Sequence, residues 1–172
     1  GQREFKVLKG HAAAVFAVAF APDGQTLVSG GYDGVTKFWD VGADIEHAQV
    51  GAMAAGDDGR LLAGGVGKAT VLWDSHTGRA IRTFEGHGEP ARRIAFQPGA
   101  KMLVTLAAER HGEGYRDVMR FWNVETGELI RTVESDMTGA EQLDFSPDGR
   151  WLAARAGSRV NVWNPVSGEK TA

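Results

Sequence analysis

The chain has 172 residues, 42% of them apolar and 24% charged, with a formal net charge of −3 and no cysteine. That is enough chain for one domain with a buried core; it excludes a disulfide framework and thiolate metal sites, and gives no reason to expect a nucleic-acid partner. No apolar run is long enough to span a bilayer and no leader pattern is legible, so no membrane partner is expected and a cytoplasmic setting is favoured.

Read from the N-terminus, Glu4–Leu8 (EFKVL) has a strand pattern. Ala14–Ala21 (AVFAVAFA) is apolar on both faces, as a strand held between two sheets must be. Pro22-Asp23-Gly24 then fits a tight turn, with Pro presetting φ and Gly accepting a positive one. Gln25–Ser29 predicts a second strand, Gly30–Gly34 a second turn, and Val35–Val41 a third strand. A fourth strand is read before each following copy, as in Glu128–Val133 after the turn Glu125-Thr126-Gly127. The unit is four short antiparallel strands without a helix, so the fold class is all-β.

This unit recurs. Strands closing on Trp stand at Val35–Val41, Ala69–Ser75, Val118–Val124 and Arg159–Pro165, about forty residues apart. Turns of Pro-Asp-Gly type precede them at Ala21–Gly24, Gly56–Gly59, Gln97–Ala100 and Ser146–Gly149. A fixed period of this size means one supersecondary unit stacked on copies of itself. A four-stranded sheet apolar on both faces needs neighbours on both sides, which is the logic of a β-propeller.

The run from Gly10-His11 through Pro22-Asp23-Gly24, Ser29 and Asp33 to Trp39-Asp40 resembles the WD40 repeat, and the resemblance covers essentially the whole chain. It implies one unit over 1–172, with blades at about 11–50, 51–85, 86–134 and 135–172 plus the N-terminal strand 4–8. It also implies a hydrogen-bonded tetrad of His11, Ser29, Asp33 and Trp39 bracing the first blade. The other copies depart from that pattern. The third keeps Gly86-His87, Thr105 and Trp122, but Asp117 sits one step too close to its Trp. The fourth reads Ser135-Asp136 in place of Gly-His and Gly157 in place of the turn Asp, and the second has no Gly-His. One complete brace is therefore expected among four blades.

Lengths vary on one side only. The loop that would carry Gly-His is missing after Trp39, while about seven extra residues fall in Ala108–Asp117. WD40 propellers place both loops on the same rim, and variable loops on a rigid scaffold are where binding concentrates. By resemblance, the exposed rim positions are Phe16, Arg92 and Glu141, with Tyr32 before the turn Asp; Tyr115 and Arg116 join them from the insertion. Catalytic, metal and cofactor sites are not expected. The insertion brings Glu109, His111, Glu113 and Asp117 together without a metal-binding spacing and reads as a solvated loop, and no serine has the flanks of a nucleophile elbow.

WD40 rings close by letting the N-terminal strand complete the last blade, and the fourth copy lacks its own outer strand in this reading. Two chains meeting head to tail would close an eight-bladed ring. The expected function is a non-catalytic scaffold that binds a protein or peptide and pairs with itself. The alternative is a structural or sensory segment of a larger multidomain protein.

Overall fold

A computed structural model describes residues 8, 10–20, 26–32, 36–40, 44–47, 52–57, 59–77 and 79–171. The first Pro-Asp-Gly turn, Asp33 and all of the predicted N-terminal strand except Leu8 lie outside these residues.

The described residues form antiparallel sheets and no helix. The first sheet orders β1 (Val15–Phe20), β2 (Thr26–Gly31), β3 (Thr36–Asp40) and β4 (Asp44–His47). The second orders β5 (Met53–Ala55), β6 (Leu61–Val66), β7 (Ala69–Asp74) and β8 (Ala80–Phe84). The third orders β9 (Arg93–Phe96), β10 (Met102–His111), β11 (Gly114–Asn123) and β12 (Leu129–Glu134), and the fourth β13 (Gln142–Phe145), β14 (Leu152–Ala156) and β15 (Arg159–Trp163). The inner strands β5, β9 and β13 lie side by side in chain order, so the sheets fan out from a common axis.

Period-two alternation explains the core. In the third sheet Leu103 and Trp122 point back and pack with Ala63, Leu72 and Phe84 of the second. Val104, Leu106, Met119 and Phe121 point forward onto Leu143, Leu152, Ala154 and Trp163 of the fourth. Val28 meets Leu62 and Trp73 between the first and second sheets. Each inner sheet is thus apolar on both faces because a neighbour covers each face.

A second, repeated contact ties neighbours at the periphery. Arg82 of β8 donates from Nη1 to the Thr126 carbonyl (2.8 Å) and from Nη2 to the Glu125 carbonyl (2.6 Å), in the turn that follows β11. Gly127 in that turn has φ +82°, and a Cβ there would stand 2.7 Å from Arg82 Cδ. Arg131 is aligned with Arg82 by strand register and lies against Gly168 of the fourth sheet in the same way.

Two expectations change. The extra residues of the third copy are not a solvated loop: they lengthen β10 and β11 to ten residues each, paired Ala108↔Asp117, Glu109↔Arg116, Arg110↔Tyr115 and His111↔Gly114. Nor is the outer position of the fourth sheet bare. Lys170 bridges Trp163, and Thr171 donates its N–H to the Val162 carbonyl. Leu129 pairs with Trp122 in the same register, so the chain itself starts a fourth strand there.

Candidate rim site between the third and fourth sheets

The braces come first, because they fix the loops around the site. In the first sheet His11 Nε2 lies 2.7 Å from Ser29 Oγ, and Trp39 Nε1 donates to the same oxygen at 2.7 Å. Asp33 lies outside the described residues. Lys37, paired across from Ser29, is buried with its ammonium 5.8 Å from the Trp39 ring centre.

The third sheet builds a brace with a different acid. His87 Nε2 lies 2.7 Å from Thr105 Oγ1, and Trp122 Nε1 donates to that oxygen at 2.8 Å. The carboxylate comes from Glu109, whose Oε1 lies 2.6 Å from His87 Nδ1. Arg120 donates to both Glu109 oxygens, at 3.2 Å to Oε2. Burial, with the Arg120 charge second among the lowering causes, holds His87 below the ordinary imidazole value. Burial alone would raise the Glu109 carboxyl, but hydrogen bonds from Arg120 and His87 bring it below its ordinary range. The imidazole is therefore neutral near pH 7, with Nδ1 toward the ionised Glu109 carboxylate and the Arg120 guanidinium and Nε2 toward the Thr105 hydroxyl.

Strand parity excludes Asp117 from this role. Trp122, Arg120 and Val118 share one face of β11, whereas Asp117 lies on the other. There it is fully buried against the fourth sheet, where Oδ2 accepts the Ala140 N–H at 2.7 Å and Oδ1 has no partner. The remaining sheets lost their braces as sets. The second has Gly64 and Val71 at the positions of Thr105 and Arg120; the fourth has Ala154 and Asn161, with Asn161 donating to Asp136 at 2.6 Å.

Between the third and fourth sheets, on the rim where β9 and β13 begin, lies a cavity of about 590 Å³. Buried Ala91, Ala108 and Ala140 line it, and their small side chains leave the volume open. Three residues expected at the rim, Arg92, Tyr115 and Glu141, line this one cavity. Arg93, which the sequence reading missed, links its two sides: Nε donates to the Glu141 carbonyl at 2.6 Å and Nη1 to the Arg92 carbonyl at 2.5 Å. Glu141 pairs with Arg155 at 2.6 Å.

The other candidates lie elsewhere. Arg116 is engaged with Glu134 at 2.7 Å, on the face of β11 opposite Tyr115. Tyr32 is exposed at the end of β2 in the first sheet, away from the cavity. Phe16 lies in β1, with its side chain outside the described residues. The signal that could have found Glu109 is alternation along β10, since Thr105, Ala107 and Glu109 share a face.

Antiparallel sheets of three or four strands, two of them braced by His–hydroxyl–Trp bonds, stacked about a common axis define a repeat protein of the β-propeller class. The family model of the WD domain, G-beta repeat, matches residues 2–40 and 127–164. The chain thus carries WD40 repeats in these two regions. Among curated proteins it is similar to Nuclear distribution protein nudF 2 of Penicillium rubens, 28% identical over 61% of this chain and 28% of that protein. It is also similar to F-box-like/WD repeat-containing protein TBL1X of Mus musculus (33% over 44% of this chain, 16% of that protein) and Protein HIR1 of Kluyveromyces lactis (25% over 58% and 14%). The chain thus spans less than a third of each of these relatives. Among solved structures, the RRP9 WD40 repeats give a TM-score of 0.77 at 22% identity, over 96% of this chain and 52% of that one. The structure of U3-55K gives 0.75 at 23% identity, over 96% and 53%.

Proposed function

We propose that this chain is a non-catalytic scaffold that binds a protein or peptide on the rim at the third and fourth sheets. The observation that carries the reading is the gathering of Arg92, Tyr115 and Glu141 around one cavity on a braced framework. Aromatic and Arg side chains dominate interface energetics, and a rigid site limits the ordering cost of binding. Peptides selected against the chain test it: binding should be lost in the Arg92→Ala, Tyr115→Ala double variant while the unfolding midpoint is unchanged. Selected peptides that bind the variant as well as the parent would move the binding surface elsewhere.

The same reading includes ring completion by a second copy. Val18 and Phe20 of β1 align by register with Ile94 and Phe96 of β9. Ile94 is 7% exposed under the preceding sheet, whereas Val18 and Phe20 are 65% and 62% exposed. An apolar face of this kind calls for a neighbour. The chain also superposes on about half of each solved propeller, which supports an arc rather than a closed ring of four. The alternative, a structural or sensory segment of a larger multidomain protein, draws support from the opposite end. There the fourth sheet carries Asp144 and Arg155 where the third carries Ala95 and Leu106, a poor match for Val18 and Phe20. Light scattering behind size exclusion separates the two: twice the chain mass, stable to dilution, favours self-closure, and a monomer refutes it.

A further inference from the structure

We infer that the cavity between the third and fourth sheets takes an acidic side chain of a peptide, set against Arg92. This rests on the scaffold reading and adds the chemistry of the partner. Among the described residues the Arg92 guanidinium makes no hydrogen bond or ion pair, although its own carbonyl and N–H are both engaged, by Arg93 and by the Leu106 carbonyl. The backbone is held while the cation stays available. Among the described residues Arg93 donates to carbonyl oxygens, so its charge is not neutralised by a carboxylate. Glu141 is matched by Arg155, and Glu89 is the other carboxylate at the cavity. Of the lining charges, Arg92 and Arg93 stand against Glu89 and Glu141, and because Arg155 pairs with Glu141 the two guanidinium groups keep no carboxylate partner.

That balance selects the class of ligand. An uncommitted guanidinium beside Glu89 suits one carboxylate, whereas successive phosphates would meet Glu89 and Glu141 as well as Arg92. A peptide is favoured over a nucleic acid for that reason. The alanine floor has no donor or acceptor of its own side chains and accommodates an aliphatic neighbour of the acid, while Tyr115, 56% exposed, supplies an aromatic wall. Arg92 thus supplies charge recognition, Tyr115 and the floor contact area, and Arg93 holds the two loops at a fixed spacing.

The test is selection of a random heptapeptide library displayed on phage, run in parallel on the parent chain and on Arg92→Glu. The parent should enrich peptides containing Asp or Glu. Replacing that acid by its amide should weaken binding at least tenfold by fluorescence polarisation, and Arg92→Glu should weaken it at least as much. Selection on Arg92→Glu should shift toward Lys or Arg peptides. Arg92 is exposed and its guanidinium has no hydrogen bond or ion pair to lose among the described residues, so matching thermal melts are expected. Neutral or basic peptides recovered on the parent, or equal binding by Arg92→Glu, would overturn the acidic preference while leaving the scaffold intact. A ten-residue oligouridylate that binds more tightly than the selected peptides, and is lost in Arg92→Glu, would also overturn it by assigning the cation to nucleic acid. Recovery of no peptide at all would remove both readings.

Discussion

Substituting Gly127 by Ala probes how neighbouring sheets are locked together. At φ +82° the new residue adopts a left-handed backbone, which costs an L-residue about 1–2 kcal/mol. Its Cβ would also fall 2.7 Å from Arg82 Cδ and 2.9 Å from Nη1. An arginine end can swing away, so the cost is the loss of its bonds to the Thr126 and Glu125 carbonyls rather than a rigid clash. Those bonds are solvent-accessible, and their joint loss is worth about 1 kcal/mol. The total is about 2–3 kcal/mol, which for a chain of this size lowers the melting temperature by roughly 5–10 °C. Urea unfolding followed by tryptophan fluorescence should be run on Gly127→Ala, Arg82→Ala and the double variant. Once Arg82 is gone, Gly127→Ala should cost only its backbone share, leaving a coupling of about 1 kcal/mol. Costs that add to within about 0.3–0.5 kcal/mol would refute the interlock.

Thr105→Val keeps the shape but leaves Trp122 Nε1 and His87 Nε2 without their shared hydroxyl, so a loss of about 2–3 kcal/mol is expected in the same assay. Asp117→Asn should be near neutral, because an amide oxygen can keep the Ala140 N–H; Asp117→Ala should cost about 1–3 kcal/mol. Acidification should destabilise the chain in two stages. His87 has a folded pKa below 6.5, so the unfolded state binds the extra proton and stability falls as pH drops through about 6.5. Glu109 has a folded pKa below 4.5, so its contribution is present above that value and is lost as pH falls through the folded pKa. A His87→Asn variant should show a flatter stability profile between about pH 7 and 5.5; an unchanged slope would show that another group carries the first stage.

The repeat was legible because its determinants are local. Each strand, its turn and its closing Trp lie within a few tens of residues, and apolar runs such as Leu103–Ala108 report coverage on both faces. The polarity of Glu109, Arg110, His111 and Glu113 is that of solvated chain and predicts a loop; the segment is a strand pair because backbone pairing continues past the covering neighbours, where polar side chains meet water. The outer strand begun at Lys170 was missed for a similar reason. Its pairing depends on register with Trp163, while its residues carry no apolar signal.

The acid of the third brace shows what spacing can decide when it is combined with strand geometry. Asp33 precedes Trp39 by an even number of residues, and Asp117 precedes Trp122 by an odd one. Where pairing runs unbroken from Ala108↔Asp117 to Leu103↔Trp122, an odd separation places the two side chains on opposite faces. A brace therefore has to draw its acid from the partner strand, and Glu109 stands two alternations beyond Thr105 on the correct face. The lengthened hairpin that carries Glu109 also lifts Tyr115 over the neighbouring sheet, on the face where Asp117 holds the Ala140 N–H. One insertion thus supplies the brace, the inter-sheet bond and the cavity wall. Replacing residues 110–115 by a two-residue Asn-Gly turn should remove Tyr115 and the rim site while sparing Glu109 and Asp117. A shortened chain that melts like its parent yet binds no selected peptide would separate the two functions of the hairpin; peptide binding that survives the replacement would refute its part in the site.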